Sequence, residues 1–165
     1  MIKCILCTDM TKHFDLLKEI TKLSNDRGIN KDFNLRKFFH SNNMISPENL
    51  FEIKLLILSG LIHGADIANP SREFNVAKQF TYNLFEELFN QGDLEKGQNL
   101  NISFLCDRSA VNIPSSQIGF ISNLVRPYFE KFSEILEGIN EINSNLKKNE
   151  LEWAKLKESE SNKII

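Results

Sequence analysis

The sequence predicts an all-α fold. Apolar residues recur at helical spacing along most of the chain, and no stretch of useful length alternates as a half-buried strand would. Capping and breaking residues also fall at the edges of the apolar stripes. At 165 residues the chain fits one domain with a real core. On ordinary length priors, about six helices would build it.

Ile2, Ile5, Leu6, Met10, Phe14, Leu17 and Ile20 share one stripe, so residues 2–23 read as a single amphipathic helix. Ser24 to Asn34 is polar and includes Gly28, which suggests a loop or helix break. Ser46-Pro47-Glu48 is a helix start: a cap oxygen, a proline in the first turn, then an acid near the positive dipole end. The helix it opens carries Leu50, Phe51, Leu55, Leu58 and Ile62 around much of its circumference, which predicts a central position. Pro70 disfavours helical geometry at Asn69 and should end that helix. Val76, Phe80, Leu84 and Leu88 mark the next helix within Arg72 to Asn90, and Gln91-Gly92-Asp93 should stop it. Leu94 to Pro114 is the longest irregular stretch. From Ser115 onward Ile118, Ile121, Val125, Phe129, Phe132, Leu136 and Ile139 form a long stripe, bent at Pro127. A last helix spans Asn143 to Lys157, and residues 159–165 form a polar tail behind a domain of residues 1–158.

Twenty basic against 22 acidic residues nearly cancel, which argues against a nucleic-acid surface or a polybasic membrane patch. No apolar run reaches membrane-spanning length, and no signal-peptide pattern opens the chain. The expected location is the cytoplasm. Three Cys make a poor disulfide framework, which favours a reducing compartment, and Cys4 and Cys7 read as core thiols. Thirteen Phe against one Trp and two Tyr predict a core packed largely with phenyl rings.

Asp66 lies near the end of an apolar helix, where a carboxylate must be paired, hydrogen-bonded or bound to a metal. Residue type alone leaves those options open. His63, three residues earlier, reads as a satisfied core group, and His13 as a packing or surface residue. Gln117 and Phe120 share a helix face. A primary amide can pair bidentately with a purine edge while an aromatic ring stacks on its face. A surface Gln beside a core Phe is the plainer alternative. Adjacent Glu86 and Glu87 point about 100° apart on a helix and read as a solvated face. Asp9 can be a solvated acid and Met10 part of the core stripe.

These features occur in an order that resembles the C-terminal half of the class I 3′,5′-cyclic nucleotide phosphodiesterase catalytic domain. Cys7-Thr8-Asp9-Met10-Thr11-Lys12-His13 is similar to the family's ATDMSKH-type helix. His63-Gly64-Ala65-Asp66-Ile67-Ala68-Asn69-Pro70 resembles its HCADISNP-type segment. Phe85 to Asp93 resembles MEEFFRQGD, Leu105 to Arg108 resembles PLCDR, and Ser116 to Ile121 resembles SQIGFI. Asn149 to Trp153 is similar to the NRxxW ending. Phe104 departs from a usual proline, and Phe80 stands where Trp is common.

The resemblance implies a multi-helix phosphodiesterase-like fold and hydrolysis of cyclic AMP or cyclic GMP to the 5′-monophosphate. It makes Asp66 a ligand of the tightly held metal, usually zinc, with magnesium or manganese at a second site. It places Asn69 and Gln117 on the purine edge, and Phe120 and Leu84 on the two base faces. Thr81 and Met10 would line the pocket, while Thr8 and Asp9 would lie near the metal hydration shell. Two metals about 4 Å apart would hold a bridging hydroxide that attacks phosphorus. The family's general-acid histidine belongs to an HNxxH motif and further ligands to an HDxxH motif. Neither occurs in this sequence, so no catalytic residue is assigned. The chain alone is expected to hydrolyse nothing, and its partner would be the N-terminal half of the domain, supplied by a longer parent that can carry membrane anchoring elsewhere. The alternative is a non-catalytic helical nucleotide-binding or regulatory module.

Overall fold

A computed structural model describes residues 2–25, 46–136 and 138–162, and among them every regular element is helical. The elements are α1 (Ile2–Leu6), a 3₁₀ turn (Met10–Lys12), α2 (His13–Asn25), α3 (Pro47–Asp66), a second 3₁₀ turn (Asn69–Ser71) and α4 (Phe74–Gly97). After an irregular segment come α5 (Ile113–Phe120), a π turn (Ile121–Val125), α6 (Arg126–Phe132) and α7 (Asn140–Ser161). The chain divides into two compact units, Met1–Ala68 with Val125–Asn143, and Asn69–Leu124 with Ser144–Ile165.

In the first unit the predicted single helix over residues 2–23 is broken. The Thr8 hydroxyl donates to the Ile5 carbonyl at 2.9 Å, and the Asp9 carboxylate accepts from the Thr11 N–H at 2.9 Å. Short polar side chains here bond the backbone locally and outcompete the continuous ladder that the apolar spacing suggests. Helix α2 runs on through Ser24 to Asn25; the rest of the polar stretch to Asn34 lies outside the described residues.

Helix α3 starts as expected, with Ser46 Oγ accepting from the Asn49 N–H at 3.3 Å and Pro47 in the first turn. It packs against α1, α2 and α6. Gly60 is required there: a Cβ on it would meet the Phe132 ring at 2.8 Å. The Tyr128 hydroxyl donates to the Gly60 carbonyl at 2.6 Å. The central position predicted for α3 is only half realised, because Phe51, Leu58, Leu61 and Ile62 remain exposed. The apolar circumference of α3 exceeds what α1, α2 and α6 cover.

In the second unit Gly92 does not stop α4, which continues to Gly97. Gly92 is buried, and a Cβ there would stand 1.9 Å from the Cys106 carbonyl oxygen. The glycine serves a close backbone approach, not a helix end. The irregular segment folds back over α4 and is stapled to it. Glu95 accepts from the Ser103 N–H and hydroxyl at 2.7 Å each, and Arg108 donates to Asp93 at 2.7 Å. Helix α5 begins two residues earlier than predicted, at Ile113, because Asn112 Oδ1 caps it by accepting from the Ser115 N–H at 2.9 Å.

Where a bend is predicted at Pro127, a π turn (Ile121–Val125) lies just before the proline. Pro127 has no N–H for the carbonyl of Asn123, and widening the turn accommodates that loss. Helix α7 is longer at both ends than Asn143 to Lys157. Among the described residues phenyl rings fill less of the interior than expected. Phe85, Phe89, Phe129 and Phe132 are buried beside Trp153 and Tyr128, while Phe14, Phe51, Phe80 and Phe104 are exposed. The three cysteines are free thiols. No helix of the described residues is long and apolar enough to cross a membrane.

Candidate functional site

The first unit carries Thr8, Asp9, Met10 and Asp66. Asp66 is the last residue of α3, and its carboxylate is exposed. Among the described residues it makes no hydrogen bond or ion pair, but its charge reaches His63 one turn back. Asp9 is exposed too, and hydrogen bonds from the backbone and side chain of Thr11 hold its carboxyl below the usual range. Thr8 is half-buried, and Met10 is exposed beside Asp9 at the start of the 3₁₀ turn.

Behind these residues lies a cluster that sequence spacing did not reveal. His13 and His63 are fully buried, with Nδ1 of one 2.9 Å from Nε2 of the other. Such a separation is a hydrogen bond when one ring donates and the other accepts. Burial pushes both imidazoles below their ordinary pKa of 6.5. The charge of His63 lowers His13 further, whereas Asp66 and the Cys7 backbone partly offset the effect on His63. The Tyr128 ring packs 5.6 Å from His13 and 5.3 Å from His63 between ring centroids. The pair ties the start of α2 to the end of α3. It positions Asp66 indirectly, by fixing the helix turn that carries it.

The second unit carries Asn69, Thr81, Leu84, Gln117 and Phe120. Asn69 opens the 3₁₀ turn, is half-buried, and accepts from the Arg72 N–H at 3.1 Å through its backbone carbonyl. Thr81 and Leu84 lie three apart on α4, the former buried and the latter 40% exposed. Gln117 and Phe120 are spaced likewise on α5, so each pair shares a helix face. Gln117 is 7% exposed. No side-chain hydrogen bond holds its amide among the described residues, and the amide atoms still reach solvent although the residue as a whole is buried. That amide keeps its donors and acceptor for a ligand or for solvent. The plainer expectation of a surface Gln beside a core Phe is reversed: Gln117 is buried and Phe120 only half-buried.

A tightly held zinc takes three or more protein ligands. Among the described residues no three His, Cys, Asp or Glu side chains converge to form such a set. Asp66 by itself does not fit a metal, and no reaction step follows from it alone.

Comparison with known proteins places this geometry. Residues 1–146 match the family described as 3′5′-cyclic nucleotide phosphodiesterase. A probable 3′,5′-cyclic-AMP phosphodiesterase of Caenorhabditis elegans is 32% identical over 136 residues, covering 82% of this chain and 18% of that protein. The 3′,5′-cyclic-AMP phosphodiesterase 4C of Rattus norvegicus is 28% identical over 136 residues, with 82% of this chain and 23% of that one covered. The chain therefore spans about a fifth of the length of these relatives. Among solved structures, the phosphodiesterase domain of Salpingoeca rosetta rhodopsin phosphodiesterase superposes with a TM-score of 0.75 at 25% identity, over 98% of this chain and 45% of that one. LmjPDEB1 in complex with IBMX shares the fold, with a TM-score of 0.75 at 24% identity, over 96% of this chain and 42% of that one. The order of motifs, the helical architecture and the match over residues 1–146 lead to one conclusion: this chain belongs to the 3′,5′-cyclic nucleotide phosphodiesterase family.

Proposed function

We propose that the chain is the base-binding portion of an enzyme that hydrolyses cyclic AMP to the 5′-monophosphate, completed by a longer parent polypeptide. The Gln117 amide, on a buried residue yet without a side-chain hydrogen bond among the described residues, is the observation that carries this reading. It would pair with the purine edge together with Asn69, while Phe120 and Leu84 would take the two faces of the base and Thr81 would line the pocket. Relatives named as cyclic-AMP phosphodiesterases support the adenine nucleotide as substrate. Rotating an amide exchanges its donor and acceptor, so cyclic GMP remains a second substrate to assay.

Asp66 would supply one ligand of a metal set whose other members come from outside this chain, with zinc at the tight site and magnesium or manganese at the second. Those metals would supply the activated water and neutralise charge on the phosphate. Thr8 and Asp9 would hold ordered water near them. The exposed apolar faces of α1 and α3 fit a chain that packs against further helices. The completed enzyme is expected in the cytoplasm.

The test is hydrolysis by the protein encoded by the full reading frame that contains these residues. Asp66→Ala should abolish turnover of cyclic AMP, and Gln117→Ala should raise KM more than it lowers kcat. Full activity of the Asp66→Ala protein would remove the assignment. The second reading is a nucleotide-binding module without catalysis. It predicts nucleotide binding with no hydrolysis in that same protein.

A further inference from the structure

The geometry points to Asn149 as a positioning residue for Asn69, through a clamp that α7 places on the turn at Asn69–Ser71. This inference rests on the reading of Asn69 as a contact to the purine edge. Asn149 is 3% exposed, and its Nδ2 donates to the Pro70 carbonyl at 2.7 Å and to the Arg72 carbonyl at 2.8 Å. Both donor hydrogens of one amide are thus used on a single turn. The two carbonyls flank the residue at which the chain leaves the 3₁₀ turn for α4.

The Arg72 N–H donates to the Asn69 carbonyl at 3.1 Å and helps close the turn. Short 3₁₀ turns have poor hydrogen-bond geometry and hold weakly alone. The Pro70 carbonyl, on a buried residue, would be costly to leave without a partner. Trp153, one turn further along α7, is buried with its ring centroid 5.4 Å from that of Phe74 and 6.2 Å from that of Tyr82. Helix α7 therefore grips the segment twice: at the turn through Asn149, and at the helix that follows through Trp153. The Asn69 side chain makes no hydrogen bond among the described residues, so its direction is set by the backbone that Asn149 fixes.

Two variants test this. Asn149→Ala removes the donors without harming helix propensity, and Asn149→Asp removes them at constant volume. In the 165-residue chain, amide hydrogen exchange at Arg72 should speed up about tenfold or more in either variant, the scale of losing one or two net hydrogen bonds. The Ala77 amide, bonded to the Glu73 carbonyl in α4, should stay protected. Unchanged exchange at Arg72 in a folded variant would overturn the clamp.

The functional half is a double-mutant cycle on affinity for cyclic AMP in the full protein. Asn149→Ala should weaken binding about as much as Asn69→Ala, and the double variant should be no weaker than either. Additive losses would overturn a role acting through Asn69. If the unsubstituted protein bound no cyclic AMP, the underlying functional reading would fail, while the exchange experiment would still decide the clamp.

Discussion

Gly92→Ala is the perturbation whose outcome follows most directly from the structure. Two effects oppose each other. Within a helix, alanine is favoured over glycine by about 1 kcal/mol. Against this, the new Cβ would lie 1.9 Å from the Cys106 oxygen and 2.7 Å from the Cys106 carbonyl carbon. Both are backbone atoms, so no side chain can swing aside. The segment cannot retreat freely either. It is tied to α4 by Glu95 on Ser103 and by Arg108 on Asp93, and Leu105 already holds a positive φ of 66°. Overpacking of a well-packed site costs about 1–3 kcal/mol, and occasionally more when backbone must move. The upper end applies, which leaves a net loss of about 2 kcal/mol after the propensity gain. For a chain of this size that lowers Tm by about 4–8 °C. Gly97→Ala is the control, since nothing lies within 4 Å of its Cβ position. It should be neutral or stabilise by up to about 1 kcal/mol. Thermal and urea unfolding of both variants provide the assay. If Gly92→Ala proved as stable as the parent, the close approach of the Cys106 backbone to α4 would be wrong.

Other perturbations follow from the same packing. Trp153→Ala removes the buried ring against Phe74 and Tyr82, and should cost about 3–5 kcal/mol in urea unfolding; a loss below about 1 kcal/mol would contradict its place in the core. His13 and His63 have folded pKa values below 6.5, so the unfolded chain binds more protons as pH falls through that value. Stability from the pair is complete above about pH 6.5 and is lost as pH drops through the folded values, so Tm should fall between about pH 7 and pH 5. Replacing both histidines with Phe should flatten that slope, and an unchanged slope would assign it to other groups. The purified 165-residue chain should bind no stoichiometric zinc and turn over no cyclic AMP; metal analysis and a product assay check both, and zinc with turnover would overturn the reading of Asp66 as one ligand among several.

Local chemistry was legible in the sequence where it is complete within a few residues. Ser46-Pro47 announces α3 because cap and proline act on the next turn. Pro127 announces an irregular turn because it removes one bond four residues back. The stripe over residues 2–23 misled for the converse reason. Its apolar spacing runs through Thr8 and Asp9, whose side chains end one element and start the next. Gly92 looked like a helix stop, because nothing in its neighbourhood discloses that Cys106 arrives against it.

The candidate site divides the same way. Asp66, Asn69, Gln117 and Phe120 stand out in short motifs. The supports behind them do not, because His13 meets His63 across 50 residues and Asn149 meets Pro70 across 79. Such pairings depend on how helices return to one another, which periodicity does not encode. The apolar circumference of α3 was legible, but not that the described helices leave part of it uncovered.

The sequence of the transcript upstream of Met1 tests the central claim most directly. The account predicts an open frame encoding HNxxH and HDxxH, which would complete the metal set that Asp66 begins. An in-frame stop codon directly upstream, with neither motif encoded, would contradict the enzyme and leave a nucleotide-binding module in its place.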